Sequence, residues 1–398
     1  MHSHPIRFRP PNLEISPEIR WVLLRAFGPP GAPFQTSIGL PVEPRELLSA
    51  ARRFEVSARI ASRQGQVRLA GELGVEIGGA FQRDRLGATA LGMRLLSLAR
   101  EVAEAAEPLQ IPLVFLKFVA LDGAGLPVVG GRGAADVDVL VPPGRSRDLQ
   151  NALLARGFRS SGHPGSEHQL PGLEHPGGGV VEVHRLMLGV RLDGRASATA
   201  ESLERHGLLT GLTDLPGRCS IPVREALAAH VLVHGVGQHG YWPASYSLLK
   251  MVGDLIDLGC AGPATRPGLA RQAYGWVARD LSAGEADAVF RLCDSLSAGW
   301  DPVDWDPQAG ESVLLRHILA GRLDPGYAAS LRLGLFRPQP TDHSLPGKLA
   351  RSVLGALFLT RGQIDTIYGP PRHPLGYTLR RLARPFDLLV RLATYLRR

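Results

Sequence analysis

Cysteine is scarce, at three residues in a chain of 398. Cys219, Cys260 and Cys293 lie far apart and form no C-x-x-C pair. That excludes a thiolate zinc site and a disulfide framework, and it predicts free thiols in a reducing cytoplasm. No apolar run reaches the roughly eighteen residues of a membrane span. The opening MHSHPIRFRPPNLE lacks the apolar core of a signal peptide. Neither a Walker A sequence nor a strand-to-helix G-x-G-x-x-G is present, so P-loop and Rossmann architectures are excluded. Aromatics make up 6% of the chain, with no aromatic-rich basic segment on which single strands would stack. A nucleic-acid partner is not expected.

The hydrophobic content of 44% and charged content of 21% are those of a soluble globular protein, long enough for two or more domains. The net charge is +8 and the basic residues are almost all Arg, which suits phosphate or other anionic partners.

The chain is organised around residues 111–184. IPLVFLKF at 111–118 reads as a buried strand closed by Lys117. Within DVDVLV at 136–141, Val137, Val139 and Val141 alternate with Asp136, Asp138 and Leu140, the period of a strand. Asp136 and Asp138 therefore share a face, with Cα atoms roughly 7 Å apart. Such a pair repels unless a cation intervenes. VVEVH at 180–184 repeats the alternation and puts Glu182 and His184 on one face. If the two strands are neighbours, three carboxylates converge in a donor set that suits Mg²⁺. Crowding of this kind predicts that Asp138→Asn stabilises the metal-free chain. Between the strands, RSRDLQNALLARGF reads as a helix. Arg132 lies in a Gly-rich loop, Gly130-Gly131-Arg132-Gly133, which reads either as an anion grip or as a plain turn.

Lys117 in VFLKF, Arg132 four residues before DVDVLV, the ARGF after the helix and the VEVH strand together resemble a family of bacterial nucleotidyltransferase-like proteins within the polymerase-β-type superfamily. The resemblance spans roughly residues 95–254. It implies a metal-dependent nucleotidyltransferase that moves a nucleoside monophosphate from an NTP to an acceptor hydroxyl on a small metabolite, a sugar phosphate or a peptide or protein. Asp136, Asp138 and Glu182 are the implied catalytic and metal-binding residues, with two Mg²⁺ ions clamping the attacking and leaving oxygens. Lys117, Arg132, His184, His234 and Asp254 are the implied substrate and phosphate residues. Phe118 stands where the family has Gly, and Arg185 where it has Trp. Phe118 either bars close backbone approach to the phosphates or turns into the core. These departures motivate the alternative of a degenerate binding or scaffolding protein.

The flanks read as helical. Ser16-Pro17-Glu18 opens a helix that stops at Gly28-Pro29. Residues 44–62 read as one amphipathic helix whose Arg45, Arg52, Arg53 and Arg59 form a solvated face. A long helix runs over 73–106. His163, His168 and His175 sit too loosely for a zinc site. His230 and His234, at i and i+4 on an apolar helix that follows Pro222, read as core histidines. The basic, apolar end of the chain reads as an amphipathic segment that either lies on a membrane surface or partner or packs on the helical part. The expectation is an α+β fold with a small mixed sheet embedded in a mostly helical chain. Four segments are expected: helical 1–107, nucleotidyltransferase-like 108–190, helical 191–345 and basic amphipathic 346–398.

Overall fold

The computed structural model describes residues 13–29, 42–161, 168–195, 197–238, 248–261, 266, 268–277, 283–323 and a few positions between 376 and 383. His163, His239 and most of the basic C-terminal segment lie outside the described residues.

The amino-terminal part is helical: α1 (Pro17–Phe27), α2 (Pro44–Arg53), α3 (Ser57–Gln64), α4 (Gln66–Leu73) and the long α5 (Val75–Ala106). Pro17 occupies the first turn of α1, where its missing N–H costs nothing; Ser16 holds the N-cap position without a side-chain cap bond. The single helix expected over 44–62 is broken between α2 and α3. Phe54 and Val56 are both buried, at 1% and 2% exposure. Residues two apart on a helix point to nearly opposite sides, and the break lets both turn toward the same core. The break puts Glu55 at φ 59°, a left-handed conformation that a non-Gly residue adopts at a cost. It also overturns the solvated reading of Arg59. Its guanidinium is largely buried and grips Asp257 at 2.7 and 2.8 Å. Arg52 remains half-exposed and pairs with Asp84.

The middle of the chain builds the sheet. In order come β1 (Leu113–Phe115), α6 (Lys117–Gly123), β2 (Asp136–Leu140), α7 (Ser146–Ala155), β3 (Arg159–Ser160), β4 (Leu173–Glu174), β5 (Val180–His184), β6 (Met187–Leu188), β7 (Ser197–Ala198), α8 (Ala200–Arg205), β8 (Leu209–Gly211) and β9 (Cys219–Pro222). Seven strands form one mixed sheet in the order β3-β4-β5-β2-β1-β9-β8, and β6 pairs with β7 apart from it. β2 lies between β5, which runs parallel to it, and β1, which runs antiparallel. The sheet continues past residue 190, because β9 pairs in parallel with β1. Helices follow: α9 (Arg224–Leu232), a π-helical turn at Val233–Gln238, α10 (Leu248–Leu258), α11 (Leu269–Val277), α12 (Ala283–Ser297) and α13 (Gly310–Leu323). The fold is α+β and mostly helical, as the sequence predicts. No helix among the described residues is long and apolar enough to cross a membrane.

A single apolar core runs from α1 through the sheet to α13. The three cysteines are buried free thiols; burial pushes Cys219 up to about 11 and Cys260 up to about 12, so they stay protonated. Phe118 belongs to this core at 1% exposure. A Cβ on Gly92 of α5 would stand 3.0 Å from the Phe118 ring, so the glycine makes room for it. Phe118→Gly should therefore cost about 3–5 kcal/mol in a urea titration. It should leave NTP affinity unimproved; a stable variant with tighter binding would place the ring at the phosphates instead.

Candidate active site

Parallel pairing of β2 and β5 sets Asp138 directly opposite Glu182 and Leu140 opposite His184. The valines between them point the other way into the core. Asp138 is 1% exposed, which is costly for a carboxylate unless cations compensate it. Two do so. Lys117 Nζ lies 2.7 Å from Asp138 Oδ1, and His184 Nε2 donates to the same oxygen at 2.9 Å. Glu182 Oε2 is 3.6 Å from His184 Nε2.

Local backbone geometry aims the lysine. Lys117 is the first residue of α6 and has φ 44°, in the left-handed region. The preceding Leu116 N–H donates to the carbonyl of Asp138 at 3.0 Å, which ties the end of β1 to β2. Strain at a non-Gly residue persists where the surroundings over-determine it, and such residues gather at functional sites.

Charge at the site follows from these contacts. Burial alone would push Asp138 up, but Lys117 and His184 outweigh it and hold the carboxyl well below the usual range. Burial opposes charge on Lys117, yet Asp138, Asp136 and Glu182 raise it above the ordinary lysine value. His184 is likewise raised, its burial outweighed by its bonds to Asp138 and Glu182. Asp136 carries the crowding: the neighbouring Asp138 charge and burial push it up to about 6, against the pull of Lys117.

The acids open onto a cavity of about 410 Å³, the size of a small-molecule site. Lys117, Arg132, Asp136, Glu182, His184 and His234 all line it. The two other residues expected at the site stand behind this lining. Asp138 lies beneath it, and Asp254 on α10 is 2% exposed and holds Arg132 Nε at 2.8 and 3.1 Å. Arg132 was expected to act as an anion grip or turn residue; it joins the glycine loop to α10 from the cavity wall. His168, which the sequence raises only as a poorly spaced zinc ligand, and Lys250, which it does not raise, also line the cavity. His168 stacks on His184 with ring centroids 6.0 Å apart. Neither residue belongs to a motif, so no local signal marks it. His230 is buried; its Nδ1–H donates to the Leu188 carbonyl at 3.0 Å, and burial pushes its pKa down to about 4. It is a neutral imidazole in the cavity wall.

The model of a family described as an uncharacterised nucleotidyltransferase matches residues 41–251, more than half of the chain. The chain belongs to that family. No curated protein and no solved structure matches it. The matched span includes every residue of this nucleotidyltransferase-family site except Asp254. The geometry can be tested against the metal that such a family implies. Asp138, Glu182 and His184 each offer a ligand atom, all within 4.8 Å of one another. Asp138 Oδ2 is buried and has no hydrogen-bond partner, a free oxygen donor of the kind a hard cation takes. The residues fit a metal ion. The tightest group contains His184 where the sequence pointed to Asp136. His184 spends Nε2 as a hydrogen-bond donor to Asp138, while Asp136 lines the cavity on the same strand.

The ion pairs reverse the expected effect of Asp138→Asn. That change strands Lys117 in a buried position and should cost about 3–5 kcal/mol. Relief of repulsion belongs to Asp136. Its folded-state pKa of about 6 exceeds the roughly 3.9 of an unfolded chain. Its contribution to stability is complete below about pH 4 and is lost as pH rises through about 6. In metal-free buffer at pH 7.5, Asp136→Asn should therefore be more stable than wild type by roughly 1–3 kcal/mol. The gain should vanish near pH 4; a gain independent of pH would show that the carboxylate is not under charge stress.

Proposed function

We propose that the protein is a metal-dependent nucleotidyltransferase that moves a nucleoside monophosphate from an NTP to the hydroxyl of a second substrate. The observation that carries this is the in-register facing of Asp138 and Glu182 on parallel strands, beneath a cavity whose wall also holds Lys117 and Arg132. Family membership supports the same chemistry. Phe118, one of the two departures that motivate a non-catalytic alternative, lies in the core, which supports a working site.

Asp136, Asp138 and Glu182 would hold Mg²⁺. When bound, it supplies charge neutralisation of the triphosphate and acidifies the acceptor hydroxyl. The remaining roles fall to side chains. His184 and Lys117 hold Asp138 through Oδ1, which would leave Oδ2 for the ion. Glu182, less buried than Asp138, takes the proton of the acceptor hydroxyl. The acceptor oxygen bonds to the α-phosphorus, the bond from that phosphorus to the bridging oxygen breaks, and pyrophosphate leaves with the electron pair. Arg132, held by Asp254, lends positive charge to the wall the leaving group faces. The acceptor would be a small hydroxylated metabolite, a sugar phosphate, or a hydroxyl presented by a peptide or protein.

Pyrophosphate release from each of the four NTPs with Mg²⁺, in the presence of a cell extract as acceptor source, tests the reading. Glu182→Gln should lower the rate about 10²–10⁴-fold, the range for a general base. Its melting temperature should stay near that of wild type, because Glu182 is not deeply buried. An NTP held at 100 times its dissociation constant should raise wild-type stability by about 2.7 kcal/mol, and only with Mg²⁺ present. Absence of both stabilisation and pyrophosphate release with every NTP would sink the proposal.

A further inference from the structure

Among the described residues two lysines and one arginine line the cavity, and two of the three have deeply buried acidic partners. Lys117 is bound to Asp138 and Arg132 to Asp254. The third is Lys250 on α10, one helical turn before Asp254. Of 45 basic residues in the chain only three are lysines, and two of those, Lys117 and Lys250, line this one cavity. Elsewhere the chain uses Arg for almost every positive charge. A lysine ammonium is a compact point charge on a flexible stem, suited to following a phosphate that moves, where the planar guanidinium holds one fixed geometry.

Lys250 is held in place and is also able to leave. Its ammonium pairs with Glu55, and it lies 3.9 Å from where a Cβ on Gly133 would stand. It thus reaches over the backbone of the loop that carries Arg132. Glu55 sits at φ 59° in the break between α2 and α3, and it also accepts from Arg322 Nη2 of α13 at 2.8 Å. Its side chain is 38% exposed. When Lys250 turns to a ligand, Glu55 keeps Arg322 and water, so no buried charge is stranded.

We propose that Lys250 is a phosphate-binding residue whose ammonium takes the β- and γ-phosphoryl oxygens of the NTP, the end that departs as pyrophosphate, with Glu55 positioning it. The assignment rests on the nucleotidyl-transfer reading. It adds to that reading the division of labour across the cavity. The carboxylates of β2 and β5 serve the phosphorus where the bond breaks. The cations of the glycine loop and α10 serve the charge that develops on the leaving group.

Calorimetry on the full chain with Mg²⁺ tests it, using inorganic pyrophosphate, the four NTPs and the four NMPs as probes; pyrophosphate requires no choice of base. Lys250→Met should bind pyrophosphate and the preferred NTP roughly 10- to 100-fold more weakly, the worth of a charge-assisted hydrogen bond, with NMP affinity unchanged. Lys250→Arg should recover part of the loss. Glu55→Gln should weaken pyrophosphate binding less than Lys250→Met does. Equal pyrophosphate affinity in wild type and Lys250→Met overturns the assignment and leaves nucleotidyl transfer standing. Equal losses for pyrophosphate and NMP also overturn it, since they mark Lys250 as a strut between α10 and the amino-terminal helices. A wild type that binds neither pyrophosphate nor any NTP fails the transfer reading itself, and the assignment falls with it.

Discussion

Asp138 is a full carboxylate buried at 1% exposure in the middle of a sheet, and the rest of the site is arranged around keeping it charged. Without compensation such a group protonates, because desolvation is worth several kcal/mol. Lys117 and His184 meet the same oxygen, Oδ1, from two directions. The other oxygen has no hydrogen-bond partner among the described residues. The strained backbone at Lys117 and the β2–β5 register both serve that arrangement.

The helices supply what the sheet lacks. β2 and β5 bring acids, while the cavity's Arg132 and Lys250 are held by partners on helices or at helix ends. Asp254 of α10 reaches Arg132, 122 residues away in sequence, and Glu55 between α2 and α3 reaches Lys250. Further ion pairs keep the amino-terminal helices registered on the later ones: Arg59 with Asp257 and Arg20 with Asp301. Exposed pairs contribute little to stability, but these are largely shielded from water. Two of the four described non-Gly residues with positive φ, Glu55 and Lys117, carry side chains that pair with charges at this site.

Phe118 illustrates how a departure from a family pattern is absorbed. A ring in place of Gly could have crowded the backbone beside Lys117. Because Lys117 takes a left-handed φ, the next residue enters α6 facing inward, and Gly92 on α5 leaves room for the ring. The backbone turn and the missing Cβ on a distant helix solve one packing problem together.

Sequence alone determined the two acidic strands, α1, α5, α7 and α9 in outline, and the family; α4 and α6 it did not show. These signals are local: alternation along DVDVLV and VVEVH, helical spacing, Pro at a first turn. Short strands escaped it. β9, with only four residues and a terminal Pro, becomes a strand by pairing with β1 more than a hundred residues away. The helix break at Glu55 was equally hidden, since only the shared core requires Phe54 and Val56 to face the same way. Tertiary structure decided which acid is neutralised and which is crowded, that Arg132 answers to Asp254, and that Lys250 belongs to the site at all. Periodicity records which face of an element is buried. It does not record which charge lies across a cavity, because ion pairs form between residues whose separation along the chain has no period.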